Sequence, residues 1–303
     1  MDTLIQAIET LIQGVADTLL VFVVLLLAKV VSDRGFLSAM RRTGATDSEE
    51  LTVDHQIEEK SNLAVALRRC GLGIGFGLGL AGAVSGGVAH FTDGWDAVLA
   101  NTLDLLTYFA TLLVFFFVAQ VVAERILLHH VNNAKELHQG NDAVGFAEFG
   151  ILVATGLIAY GSFQGEGGGW YTSLAFFAMG QLALVLFAII YEWATPFNCL
   201  KEIRDGNAAA GLMLGGTLIT LGIILGYAIS GDFTGWVEGI VGFLVSAVVG
   251  MVLLIPFQRL IDKAFLPNTT LKIEVERDRN LAACSVTVAA QIALAIMIGA
   301  LLV

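Results

Sequence analysis

The sequence predicts an all-α polytopic membrane protein, with eight transmembrane helices arranged as four parallel-oriented helical hairpins in two four-helix units. Three observations predict it. Of 303 residues, 56% are hydrophobic and only 14% charged, and the mean hydropathy is +0.79, well outside the range of soluble domains. The apolar residues fall in continuous runs of about 20, the length that crosses a hydrocarbon core at about 1.5 Å rise per residue. Finally, all 16 Lys and Arg fall in or beside the loops that follow the odd-numbered runs, from Lys29 to Arg279.

The odd runs are 15–31, 103–123, 170–195 and 236–257, rich in Leu, Val and Phe, and are expected to face lipid. The even runs are 63–89, 143–163, 208–230 and 281–303, most of them loaded with Gly and Ala, and are expected to pack inside. Barrel strands would alternate apolar and polar residues over about ten positions, which none of these runs does. The first run lacks a basic n-region and precedes a basic loop, so it reads as a retained span and not as a signal peptide. The basic side is expected to be cytoplasmic. The other side carries only acids, among them Asp93, Asp96, Asp232 and Glu238, with Trp95, Trp170 and Trp236 placed for an interfacial belt. Both termini then lie outside, on the periplasmic side. Cys70, Cys199 and Cys284 have no paired spacing and read as reduced structural thiols.

Every even run opens alike: Asn62-Leu-Ala-Val-Ala, Asn141-Asp-Ala-Val-Gly, Asn207-Ala-Ala-Ala-Gly and Asn280-Leu-Ala-Ala-Cys. Each follows a charged stretch, such as Lys201-Glu-Ile-Arg-Asp-Gly. All four copies face the same way, so the repeats are parallel and not of the inverted type found in many secondary transporters. The units divide as 1–166, which includes an acidic loop at 32–61, and 167–303.

This Asn-x-Ala-x-Gly/Ala opening of a glycine-rich helix, within a duplicated four-span unit, resembles the YjfL-like family of bacterial inner-membrane proteins, a domain of unknown function numbered three-fifty. The resemblance covers most of the chain except 32–61. It implies a multi-pass bacterial plasma-membrane protein of undefined activity, associated with envelope-stress and phage-shock-like systems. It implies no catalytic residues.

Asn is among the best N-cap residues, and Asn62, Asn141, Asn207 and Asn280 are expected to cap their helices. The sharper alternative is that four positive helix ends converge on an anion or solute vestibule. Glycines at spacing four, Gly71, Gly75 and Gly79, then Gly211 with Gly215 and Gly222 with Gly226, are expected to let helix backbones approach closely. Ionisable groups inside a span are expensive and need partners. Arg69 and Glu148 both sit seven residues after their repeat Asn, where the other copies have Leu214 and Thr287. They are expected to pair, as a structural contact or as a proton or cation site. Gln120, Gln181 and Gln291 would extend a polar pathway, or each would bond a neighbouring helix.

No metal, hydrolase or dinucleotide motif is present, so no enzyme, no metal and no cofactor is expected. The net charge of −11, with no basic stripe, argues against nucleic acid. The partners expected are the lipid bilayer, a second copy in a homodimer, and a cytoplasmic protein at the acidic stretch 47–59, which reads alternatively as a solvated connector. Two functions stand: a small-ion or small-solute channel or transporter linked to envelope homeostasis, or a non-transporting scaffold of an envelope-stress system.

Overall fold

The computed structural model describes residues 2–42, 52–85, 95–122, 125–126, 128, 132–165, 167–195 and 197–302. Its regular elements are all helical, with no strand among the described residues. The helices are α1 (Asp2–Arg42), α2 (Val53–Glu58), α3 (Leu63–Val84), α4 (Trp95–Val122), α5 (Asn133–His138), α6 (Asp142–Phe163), α7 (Trp170–Ala194), α8 (Cys199–Arg204), α9 (Ala208–Ile229), α10 (Trp236–Phe265) and α11 (Leu281–Leu302), with a π-helical turn at Ile273–Arg277.

Seven helices are long and apolar enough to cross a membrane among the described residues: α3, α4, α6, α7, α9, α10 and α11. The eighth expected span, 15–31, belongs to α1, a single helix of 41 residues. The side chains of 16, 17 and 20 in that stretch lie outside the described residues.

The hairpin is not the unit of packing. The even helices lie side by side in one row, α3 against α6, α6 against α9, α9 against α11. These contacts are far more extensive than any between an even helix and its neighbours in sequence. Each later odd helix rests over a groove between two members of the row: α4 on α3 and α6, α7 on α6 and α9, α10 on α9 and α11. The row is parallel, because equivalent positions of the repeats meet. Gly71 lies on Phe149 and Gly82 on Tyr160; Gly211 lies on Ala143 and Gly226 on Leu157; Gly216 lies on Val288 and Gly299 on Tyr227.

Small residues make the row this close. A Cβ on Gly75 would fall on Leu152 and the Phe116 ring, one on Gly79 on Leu112, one on Gly215 on Phe146, and one on Gly222 on Ala154. α6 contributes glycines on both sides. Gly145 and Gly156 face Ala64 and Gly75 of α3, while Gly150 and Gly161 face Gly215 and Gly226 of α9. Such backbone approach gains dispersion and close packing that lipid cannot replace.

One expectation changes. α6 and α9 are the most buried spans, but α11, expected inside, is no more buried than α4 or α7; a row has two ends, and α11 is one of them. Beside the boundary between the units Gly165 and Gly167 have φ 98° and 82°, and α6 packs against α9 as extensively as against α3.

The short helices α2, α5 and α8 and the π-turn each precede a member of the row, and each ends in one residue in the left-handed region: Ser61, Gly140, Gly206 and Arg279, at φ 49°, 81°, 75° and 46°. Asn132 and Asn198 cap α5 and α8 by accepting from Lys135 N–H and Lys201 N–H. Thus Asn132-x-x-Lys-Glu-Leu-x-x-Gly-Asn141 recurs as Asn198-x-x-Lys-Glu-Ile-x-x-Gly-Asn207.

Candidate functional site

The four repeat asparagines do two things at once. Each caps its long helix: the side-chain oxygens of Asn62, Asn141, Asn207 and Asn280 accept from Val65, Val144, Ala210 and Ala283 N–H. Each also donates its Nδ2. One acceptor is a side chain of the preceding short element, Gln56, Glu136, Glu202 or Glu274, at 2.7–3.0 Å. For the first three the other is a backbone carbonyl of the next repeat: Asn62 donates to Leu137 O at 2.9 Å, Asn141 to Ile203 O at 3.2 Å, Asn207 to Val275 O at 2.7 Å. Asn62, Asn141 and Asn207 are therefore inter-repeat staples. With their amides committed in this way, the four caps form a chain along the row instead of converging on a vestibule.

A buried ion pair lies in the first unit. Glu148 in α6 is 4% exposed and Arg68 in α3 is 5% exposed, and Arg68 Nε approaches Glu148 Oε2 at 3.1 Å. Asn133 Nδ2 donates to the other carboxylate oxygen at 2.9 Å. Arg68 also donates to Ser32 Oγ at 3.1 Å and to Gln120 Oε1 at 3.3 Å, and its guanidinium lies 5.4 Å from the centre of the Phe36 ring. Both charges are thus paired and hydrogen-bonded, the condition for holding them out of water.

The arginine expected opposite Glu148 was Arg69, and this is corrected by one residue. Successive residues on a helix point about 100° apart, so Arg68 faces α6 while Arg69 faces α1. Arg69 bonds Asp33 at 2.8 Å and Asp54 at 2.7 Å, and Lys29 reaches Asp54 at 3.2 Å. This clasp fixes α2 on α1. The Arg69 guanidinium holds the Asp54 carboxyl below its ordinary value, whereas burial pushes Asp33 up despite the same arginine. The acidic stretch 47–59 is therefore not wholly a free connector: from 52 onward it forms the first of the short repeat elements, with Val53 and Gln56 buried. Residues 47–51 lie outside the described residues.

Arg68 and Glu148 line a groove of about 450 Å³ with Ser32, Phe36, Gln120 and Arg125. Of the glutamines, only Gln120 reaches it. Gln181 in α7 and Gln291 in α11 are buried but are not among its lining residues, so the three do not form one pathway. Asn133 and Ser32, not singled out by sequence, complete the site. Asn133 was legible in principle, as the first residue of a recurrent short helix.

A family model, described as Domain of Unknown Function (DUF350), matches the chain twice, over residues 6–163 and 167–302. The chain belongs to the DUF350 family. It is also 23% identical, over 238 residues, to a protein of Aquifex aeolicus (strain VF5) described as a UPF0719 transmembrane protein, covering 77% of this chain and 84% of that one. No solved structure gives a significant match. The two DUF350 matches meet at the α6–α7 turn, so each copy serves as an internal control for the other. Six residues after its repeat Asn the second copy has Met213 where the first has Arg68, and Thr287 stands where Glu148 does. Both are fully buried, and the Thr287 hydroxyl is satisfied by Ala283 O at 3.1 Å.

Proposed function

We propose that this DUF350 chain is a conduit for a small ion or solute across the bacterial inner membrane, with the groove of the first unit as its entrance and Arg68–Glu148 as its charge-bearing element. One observation carries the reading. The same fold is built in the second unit with Met213 and Thr287 in place of the pair, so the scaffold does not require charge at this position. Replacing a buried ion pair by packed apolar residues is often neutral or stabilising, and an ionisable group retained within a span is a mark of function. The basic side is the cytoplasmic side on the positive-inside rule, and the groove opens among its residues.

The test is flux of protons, potassium and sodium, measured separately in proteoliposomes, for the intact protein beside Glu148→Gln and the double variant Arg68→Met/Glu148→Thr. Loss of one ion's flux in both variants, with helix content preserved in both and melting largely recovered in the double variant, is the expected result. Absence of flux from the well-folded intact protein would remove the reading.

A second reading, a non-transporting scaffold of an envelope-stress system, is favoured by the close-packed glycine seam of the row and by the exposed acids Glu58 and Glu59 beside the clasped α2. Deleting 47–59 would remove a packed element, so the sharper test is Glu58→Gln/Glu59→Gln. Unchanged recovery of partner proteins in a detergent pull-down would count against it.

A further inference from the structure

The second unit has a groove at the position that the Arg68–Glu148 groove occupies in the first. Ser32, Leu72, Phe76, Gln120 and Arg125 line one; their repeat counterparts Tyr191, Thr217, Leu221, Gln258 and Lys263 line the other. The second is larger, about 750 Å³ against about 450 Å³, and the counterparts of the ion pair do not line it.

Its contents differ with depth. The inner wall is apolar, made by Phe187, Leu221, Met251 and Leu254. Two buried hydroxyls, Tyr191 at 8% and Thr217 at 3% exposure, lie near one another and near Gln258 without completing a hydrogen bond. Unsatisfied buried hydroxyls are costly and call for a partner. At the mouth, at the end of α10, Arg259 and Lys263 are exposed and form no ion pair among the described residues, while Lys272 sits near Glu276 at 3.8 Å. Asp262 is the one acid among the lining residues, and its Oδ1 is buried without a partner.

We infer that this groove binds an anionic phospholipid from the leaflet on the basic side, with phosphatidylglycerol chemistry. The phosphate lies against Arg259 and Lys263, as in basic pockets between spans that hold anionic headgroups. The ester carbonyls accept from the Tyr191 and Thr217 hydroxyls, and an acyl chain follows Phe187 and Leu254 inward. A free headgroup hydroxyl donates to Asp262. Two unpaired bases against one acid favour an anionic over a zwitterionic headgroup, and the apolar wall favours a lipid over a free phosphate. The site is separate from the conduit of the first unit and does not depend on it.

The experiment is native mass spectrometry of the delipidated full-length protein in neutral detergent, titrated with dioleoyl phosphatidylglycerol, phosphatidylethanolamine, phosphatidylcholine or inorganic phosphate. One phosphatidylglycerol should be retained per chain at least tenfold more strongly than either zwitterionic lipid, and inorganic phosphate should not displace it. Arg259→Gln/Lys263→Gln should lower its retention about tenfold and Thr217→Val by less, while Lys201→Gln, at the same end but outside the groove, should leave it unchanged. Equal retention of the three lipids, displacement by phosphate, or undiminished retention by the double variant would overturn the assignment. Should that variant fail to fold, the lipid selectivity of the intact protein decides alone.

Discussion

Arg68 and Arg69 are neighbours in sequence and separate in purpose: Arg68 meets Glu148 at 3.1 Å in the interior, and Arg69 meets Asp33 at 2.8 Å on α1. One helical step divides a buried, ion-paired charge from a partly exposed clasp. The two should therefore respond differently to mutation. Surface-type clasps such as Arg69–Asp33 contribute little individually, whereas a charge stranded next to the seam of the row is expensive.

Arg68→Met alone leaves Glu148 uncompensated and should destabilise the protein by about 3–5 kcal/mol, the usual consequence of removing one member of a buried pair. Arg68→Met/Glu148→Thr, which installs the residues of the second unit, should recover most of that loss. Thermal unfolding of the two single variants and the double variant in detergent measures the coupling. A double variant no more stable than Arg68→Met would show that the two units differ in more than this pair.

Asn207→Ala should be more damaging than Asn280→Ala. Both remove a helix cap, at about 1 kcal/mol each. Asn207 also donates to Val275 O in the following repeat at 2.7 Å, and its loss leaves a buried carbonyl unsatisfied at about 1–3 kcal/mol more. Asn280 closes the array, its amide reaching Glu274 of its own turn at 2.7 Å. Comparing the melting temperatures of the two variants tests whether the repeats are stapled in this way.

The membrane class and the fourfold Asn opening were legible because both are written in local, periodic terms: runs of apolar residues, one-sided Lys and Arg, and an Asn at each even helix start. What could not be read is what depends on rotation and on long-range order. Seven positions after Asn62 and six positions after it are equally plausible partners for Glu148 in a linear string, and only the helical phase against α6 selects Arg68. The pairing of even helices with each other, instead of with their hairpin neighbours, is likewise a packing decision. The spacing of Gly150 and Gly161 on one side of α6 and Gly145 and Gly156 on the other carried that information, but it was masked by the high glycine content throughout. The short helices were overlooked because six residues of mixed polarity carry no hydrophobic period, although their Lys-Glu-Leu/Ile core recurs.

The residue before each repeat Asn is held in the left-handed region, which is glycine at 140 and 206 but Ser61 and Arg279 in the outer copies. A side chain there costs about 1–2 kcal/mol relative to an unstrained backbone, partly offset because glycine also gains freedom on unfolding. Ser61→Gly should raise stability by several tenths to about 1 kcal/mol, and Gly206→Ala should lower it by at least as much. Both are read as shifts in melting temperature. A Ser61→Gly variant less stable than the parent would mean that the serine side chain contributes more than its backbone strain removes.

The glycines of α3 offer the cleanest internal comparison, because they alternate between two environments along one helix. Gly75 faces α6 and α4, where a Cβ would press on Leu152 O and the Phe116 ring, while Gly73 and Gly77 have nothing within 4 Å. Ala at 73 or 77 should be neutral or mildly stabilising, since alanine is the better helix former by about 1 kcal/mol. Ala at 75 must push α3 away from α6, and overpacking of this kind costs about 1–3 kcal/mol. Because the α6 side of the row carries Glu148, the same displacement should weaken the Arg68 contact. Gly75→Ala combined with Glu148→Gln should then be less destabilising than the sum of the two single changes, whereas Gly73→Ala combined with Glu148→Gln should be additive. Additivity in both combinations would separate the seam from the ion pair and leave them as independent features of the fold.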